Sequence, residues 1–212
     1  MDRINQVWPK WKTVEILGEG GFGKVYKAKR ETFGQVEYSA IKVIQIPNNQ
    51  SEIDEMTQSG VSNEHIKQYY YKNVEGLLEE IKTMSKLKSA SHIVAIEDYE
   101  VEENKDGIGW TIFIRMELLT NISKISFDQK EVRKMALDIL TALEYCHSYK
   151  IMHRDIKPAN IFVSEFGEYK LGDFGISREV EKANATMSQK GTKSYMAPEM
   201  IRMGKYGINV DL

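Results

Sequence analysis

Cysteine is almost absent from this chain. Cys146 is the only one in 212 residues, so no internal disulfide can form and a reducing compartment is the simplest setting. The thiol falls on the apolar face of a predicted helix, where packing is its expected role. Positive charge is not in excess either, with 29 Lys and Arg against 31 Asp and Glu and a formal net charge of -2. That balance argues against nucleic acid or an anionic membrane as a partner, because both call for a basic surface. Long hydrophobic runs are also missing. No run reaches the length of a membrane span, and the polar start from Met1 to Lys12 lacks the apolar core of a signal peptide. A soluble, cytoplasmic chain is the expectation. What remains is an ordinary globular composition, 42% hydrophobic and 28% charged, enough for one large domain or two small lobes.

The most informative stretch runs from His153 to Gly175. It reads His153-Arg154-Asp155-Ile156-Lys157-Pro158-Ala159-Asn160, then Ile161-Phe162-Val163, a turn, and Asp173-Phe174-Gly175. Two acids and an amide at these intervals, with a short hairpin between the loop and the second acid, could converge on a metal-bound phosphate. Taken singly, His-Arg-Asp is an ion-paired turn and Asp-Phe-Gly a β-turn. Their joint order is what points to phosphate chemistry.

A second phosphate signal lies near the start. After an alternating strand from Trp11 to Leu17 comes Gly18-Glu19-Gly20-Gly21-Phe22-Gly23-Lys24-Val25. Glycines let backbone N–H groups approach a triphosphate without a Cβ in the way. The same pattern occurs in dinucleotide folds, where it joins a strand to a helix. Here Lys24 to Lys29 alternates with period two, so the turn links two strands instead.

The remaining elements follow from periodicity. Tyr38 to Ile46 is a third strand, ended by Pro47. An acidic connection from Asn48 to Asn63 contains Ser51-Glu52-Ile53-Asp54, which suggests a capped short helix. From about Ser62 to Leu87 a helical period brings Ile66, Tyr70, Val74, Leu77, Ile81 and Met84 onto one face. Ile93 to Val101 and Gly109 to Glu117 are two further strands joined by a turn at residues 104–107. Asp128 to Tyr149 is an amphipathic helix with Val132, Met135, Ile139, Leu143 and Cys146 along one side.

With these motifs in order, the sequence resembles the protein kinase family. Gly18 to Val25 matches its Gly-rich loop, Ala40-Ile41-Lys42-Val43 its third-strand lysine segment, and His153 to Asn160 with Asp173-Phe174-Gly175 its catalytic and metal-binding loops. Lys157 looks like the serine/threonine branch, and the style of Arg115 to Thr120 leans toward the eukaryotic-like kinases of bacteria. The resemblance implies an α+β, two-lobed kinase-like fold. Residues 1–117 would form a lobe with a five-stranded antiparallel sheet and the αC helix. Residues 118–212 would form a partial, mainly helical second lobe that stops before the long helix expected after Asp211.

The resemblance also implies roles. ATP would be covered by Gly18, Glu19, Gly20, Gly21, Phe22 and Gly23. Its adenine would lie against Val25, Ala40, Met116, Glu117, Leu119 and Phe162. Lys42 would bridge the α- and β-phosphates, held by Glu80, with Glu79 as the adjacent rival one helical step of about 100° away. Asp155 would orient the attacking hydroxyl and Lys157 would stand beside the γ-phosphate. Asn160 and Asp173 would hold Mg²⁺, which favours an incomplete protein cage. Thr192 would bridge Asp155 and Lys157. Ser188, or Thr186, would carry a regulatory phosphate facing Arg154 and Arg178. The implied activity is transfer of phosphate to Ser/Thr hydroxyls of protein substrates. The alternatives are a catalytically weak or inactive nucleotide-binding fragment and a pseudokinase-like interaction module. Apolar surface exposed where later helices belong would favour self-association.

Overall fold

The structure is a computed structural model, and it describes residues 3–20, 23–87, 90–105, 107–173, 195–201 and 207–211. The chain divides into two compact units. Residues up to Ser85, with Ile96–Leu118, belong to the first, and Lys86–Ala95 with residues 119–173 and the described C-terminal residues belong to the second.

The first unit is built on a five-stranded antiparallel sheet. β1 (Lys12–Gly20), β2 (Gly23–Thr32), β3 (Gln35–Ile46), β4 (Ile96–Glu103) and β5 (Trp110–Glu117) lie in the order β1-β2-β3-β5-β4. Residues directly opposite in such a ladder share a face. Val25, Lys42 and Ile114 therefore form one row, and Lys27, Ala40 and Met116 the next row on the same face. Ile41, Val43 and Phe113 occupy the opposite face. There they meet Ile4 of a short helix α1 (Arg3–Val7), together with Trp11 and Ala28, in a buried cluster.

Tryptophans fix this N-terminal segment to the sheet. Trp8 stacks edge-on against Phe113 with centroids 6.4 Å apart, and its indole N–H donates to Asp98 at 3.0 Å. The Arg115 guanidinium lies over both Trp8 and Trp11 and is held by an ion pair to Glu97. An arginine over an indole is attracted by the ring quadrupole, which here keeps the cation on an otherwise apolar face.

Two helices follow β3. α2 (Gln50–Gln58) begins at Asn49, whose side chain accepts the Glu52 N–H, so the cap lies two residues before the Ser51 expected from sequence. α3 (Asn63–Lys86) buries all six of the residues that the helical period singles out. Ser62 Oγ accepts the His65 N–H at its start. Tyr70, 2% exposed, donates its hydroxyl to Glu52 at 3.3 Å, so the two helices are joined by a buried polar contact. α3 is tied to the sheet by Tyr71 against Trp110 and by Lys67 to Glu103 at 2.6 Å.

The second unit holds a three-stranded sheet of β6 (Thr120–Asn121), β7 (Ile161–Val163) and β8 (Tyr169–Leu171). Its main helix is α4 (Gln129–Ser148). Asp128 and Glu131 form a reciprocal capping box at its start, an arrangement that satisfies two otherwise orphaned N–H groups. Ile139, Leu143 and Cys146 are buried as expected, but Val132 is 47% exposed. Helical period alone does not say how far along a helix its neighbour extends. Ile93 is likewise outside β4: it bridges Leu171 in the second unit. A 3₁₀ turn (Ile122–Lys124) follows β6. A four-residue helix α5 (Pro198–Ile201) and a 3₁₀ turn (Ile208–Asp211) complete the described chain.

Removing buried α3 side chains should therefore cost far more than removing exposed strand ones. Leu77→Ala is expected to lose about 2–5 kcal/mol of stability in urea titrations, and Val36→Thr to change it by less than about 0.5 kcal/mol. Equal effects would contradict the packing described.

Candidate active site

In the first unit, the residues expected to meet a nucleotide sort by face. Val25, Ala40, Lys42 and Met116 share the face opposite the Trp8–Trp11 segment. Lys42 is only 4% exposed, which rules out the common fate of a solvated surface lysine. Glu117 lies opposite Ser39 at the end of β5. On α3, Glu79 points to solvent and pairs with Lys82 at 2.8 Å, whereas Glu80 is half-buried.

The glycines before and after the turn differ in what they are for. A Cβ on Gly23 would strike the Val43 carbonyl at 2.1 Å, and its φ of +105° lies in the region that favours glycine, so packing alone requires it. A Cβ on Gly18 or Gly20 would meet nothing within 4 Å. Internal packing does not explain those two, and open space above them suits the approach of a ligand. A cavity of about 500 Å³ is lined by Ile4, Tyr26, Val43 and Phe113 together with Glu19, Gly20 and Gly23 of the Gly-rich turn, and Lys42 is not part of its lining.

In the second unit, the loop from His153 to Asn160 is held by side chains at every step. His153 is fully buried. Its Nε2 donates to the Gly172 carbonyl at 2.9 Å, and its Nδ1 accepts the Asp155 N–H at 3.2 Å. Two partners of opposite kind fix one neutral tautomer. Burial holds its pKa below the usual histidine value, against the opposing pull of Gly172, Asp211 and other acids. Asp155 Oδ2 accepts from Asn160 Nδ2 at 2.9 Å and pairs with Lys157 at 2.7 Å. Asp155 Oδ1 is buried and has no hydrogen-bond partner among the described residues.

Asn160, 4% exposed, also donates to the Asp155 carbonyl at 2.8 Å. Its amide nitrogen is thus committed, which leaves Oδ1 as the acceptor it presents. The Asn160 carbonyl accepts the Gly172 N–H at 2.9 Å, placing the residue before Asp173 against the loop. Asp173 itself has φ +54°. Of the remaining expected residues, Leu119 precedes β6, and Phe162 sits in β7 opposite Asn121 and Lys170. Glu19 is exposed in β1 and pairs with Lys24. Gly21, Phe22, Phe174, Gly175, Arg178, Thr186, Ser188 and Thr192 lie outside the described residues.

Two residues missed as site components carry much of this geometry. Asp211, expected only as the start of a further helix, accepts the N–H groups of His153 at 2.8 Å and Arg154 at 2.6 Å and bonds His147 Nε2 at 2.9 Å. Asn121 holds the carbonyls of Pro158, Ala159 and Ile161. No periodicity marks either one. Cys146 has the structural role expected of it, since burial pushes its thiol up to about 12 and keeps it protonated.

Because His153 is held neutral when folded but titrates near 6.5 when unfolded, the unfolded chain binds the extra proton below that value. Its contribution is intact above pH 6.5 and is lost as pH falls toward the lower folded pKa. Urea titrations from pH 7 to 5 should show stability dropping by up to about 1.4 kcal/mol per pH unit from this residue, with a shallower slope for His153→Gln. Identical slopes would contradict the neutral assignment.

Comparison with known proteins fits this arrangement. Residues 11–212 match the family model described as "Protein kinase domain". The chain is 31% identical over 204 residues to the serine/threonine-protein kinase TIO of Arabidopsis thaliana, covering 95% of this chain and 14% of that protein. It is 31% identical over 210 residues to the serine/threonine-protein kinase BCK1/SLK1/SSP31 of Saccharomyces cerevisiae, covering 95% of this chain and 13% of that one. It is 30% identical over 206 residues to the cyclin-dependent kinase-like 1 of Caenorhabditis elegans, covering 96% of this chain and 52% of the relative. It therefore spans about one seventh to one half of these relatives, over the part they share. By motif, local geometry and this match across nearly its whole length, the chain belongs to the protein kinase family.

Proposed function

We propose that this chain transfers the γ-phosphate of ATP to serine or threonine hydroxyls of protein substrates, with Mg²⁺ bound, in the cytoplasm. The observation that carries the reading is the state of Asp155. One carboxylate oxygen is engaged by Asn160 and Lys157, while the other is buried without a partner among the described residues. An orphaned buried acceptor is costly unless something binds there, and a substrate hydroxyl is the donor that phosphoryl transfer calls for.

Each residue then has a task. Lys42, Val25, Ala40 and Met116 bind the nucleotide from their shared sheet face, and Glu80 is favoured over Glu79 as the acid for Lys42 because Glu79 is engaged with Lys82 in solvent. The backbone at Gly18, Glu19 and Gly20 covers the phosphates. Asp155 orients the hydroxyl oxygen for attack on the γ-phosphorus and receives its proton as the bond to the ADP oxygen breaks. Lys157 adds positive charge beside the transferred group.

Among the described residues no cluster of three or more His, Cys, Asp or Glu could hold a metal unaided. The donors present are nevertheless hard oxygens, Asn160 Oδ1 and the Asp173 carboxylate, which suit an ion that completes its shell with phosphates and water. When bound, Mg²⁺ neutralises charge on the β- and γ-phosphates. The near-balanced net charge supports protein over nucleic acid as substrate. A second reading, a nucleotide-binding interaction module with little transfer, draws on Leu137 and Leu140, 66% and 51% exposed on α4, a surface that would also serve self-association.

Radiolabelled transfer to a generic protein substrate separates these readings. Asp155→Asn should lower transfer by at least about a hundredfold. Gly18→Val should melt as the wild type does yet bind ATP roughly tenfold more weakly. Transfer unchanged in Asp155→Asn would remove that residue from its role, and nucleotide binding without transfer in the wild type would favour the second reading.

A further inference from the structure

The segment after β5 holds a side chain that shapes the loop without itself meeting nucleotide or substrate in the reading above. Asn121 lies in β6, half-buried, and its amide is bonded on both sides. Oδ1 accepts from the N–H and the hydroxyl of Ser123 at 3.0 and 2.5 Å, capping the 3₁₀ turn Ile122–Lys124. Nδ2 faces the carbonyls of Pro158, Ala159 and Ile161 at 3.3, 2.8 and 3.2 Å. Only this orientation of the amide satisfies all five partners, since a flipped one would set oxygen against three carbonyls.

The last carbonyls of a helical turn have no N–H of their own turn to accept from. Around the turn Pro158–Asn160 three carbonyl oxygens converge, that of Pro158 also accepting the Ile161 N–H and that of Ile161 lying in β7, and converging acceptors repel unless a donor stands among them. Asn121 supplies that donor from a remote strand. The carbonyls it holds flank Asn160 on both sides. Asn160 Nδ2 is spent on Asp155, so the direction of Asn160 Oδ1 depends on where its backbone sits.

We propose that Asn121 is a positioning residue for the metal-binding amide: one side chain caps two turns and thereby aims Asn160 Oδ1 at the cation that accompanies the nucleotide. This rests on the assignment of Asn160 as a metal ligand in the reading above. It also gives the short segment after β5 a function. The effect passes through the backbone, so it bears on metal binding and leaves metal-free nucleotide contacts alone.

The test measures affinity of the full chain for a non-hydrolysable ATP analogue by calorimetry, with and without Mn²⁺, with thermal melting as a check on folding. In the wild type Mn²⁺ should tighten binding. In Asn121→Ala binding with Mn²⁺ should weaken roughly tenfold, while metal-free affinity stays within about twofold. Asn121→Asp, which keeps the Ser123 cap but turns a carboxylate toward the carbonyls, should do the same and decides the matter if the alanine variant fails to fold. Wild-type behaviour in either folded variant overturns the proposal, as does an equal loss with and without Mn²⁺. If Mn²⁺ does not tighten binding even in the wild type, the assignment of Asn160 falls and takes this inference with it, an outcome recognisable because no variant is needed to see it.

Discussion

A carboxylate far along the chain governs the loop to which the proposed chemistry is assigned. The Asp211 side chain is completely buried, and burying a charge costs several kcal/mol unless it is well bonded. Here it receives the N–H groups of two successive residues, His153 and Arg154, and bonds the imidazole of His147. The pair of backbone bonds also accounts for Arg154 at φ +68°. A non-glycine residue stays in that conformation only where its surroundings over-determine it. The contacts span 57 to 64 residues in sequence, so the loop is shaped by tertiary structure and not by its own propensity.

From that anchor the order passes by short bonds. His153 joins the loop to Gly172 through one ring nitrogen and to the Asp155 backbone through the other. Asn160 ties its own side chain to Asp155 and its carbonyl to Gly172. Asp155, Asn160 and the start of the Asp173 segment are thereby fixed relative to one another before any ligand arrives. Such preorganisation is what phosphoryl transfer asks of a protein, because positioning and charge neutralisation supply most of its catalysis.

Much of the scaffold was legible in the sequence, for identifiable reasons. α3 is long and strictly periodic, and every apolar position read from it is buried. α4 was expected from Asp128 to Tyr149 and runs from Gln129 to Ser148, with those two expected ends as its caps. Strand-to-strand continuation after Gly23 separated this turn from a dinucleotide fold. Val132 went the other way, because amphipathic period marks a face without saying how much of it is covered. The Asn49 cap was passed over for Ser51 since both residue types cap helices equally well. Asp211 and Asn121 left no local signal at all: their partners are backbone groups, and a backbone hydrogen bond imposes no residue type on the other side. The tryptophans of the N-terminal segment likewise pack through contacts with β5 that no short-range pattern encodes.

Asp211 sets the loop carrying Asp155 rigidly through the amides of His153 and Arg154. Native-state hydrogen exchange at the amides of His153 and Arg154 tests this most directly. Both should be protected as strongly as amides in the middle of α4. Exchange at the rate of exposed loop amides would mean that the carboxylate does not hold them, and that the geometry described for the loop is not a fixed one.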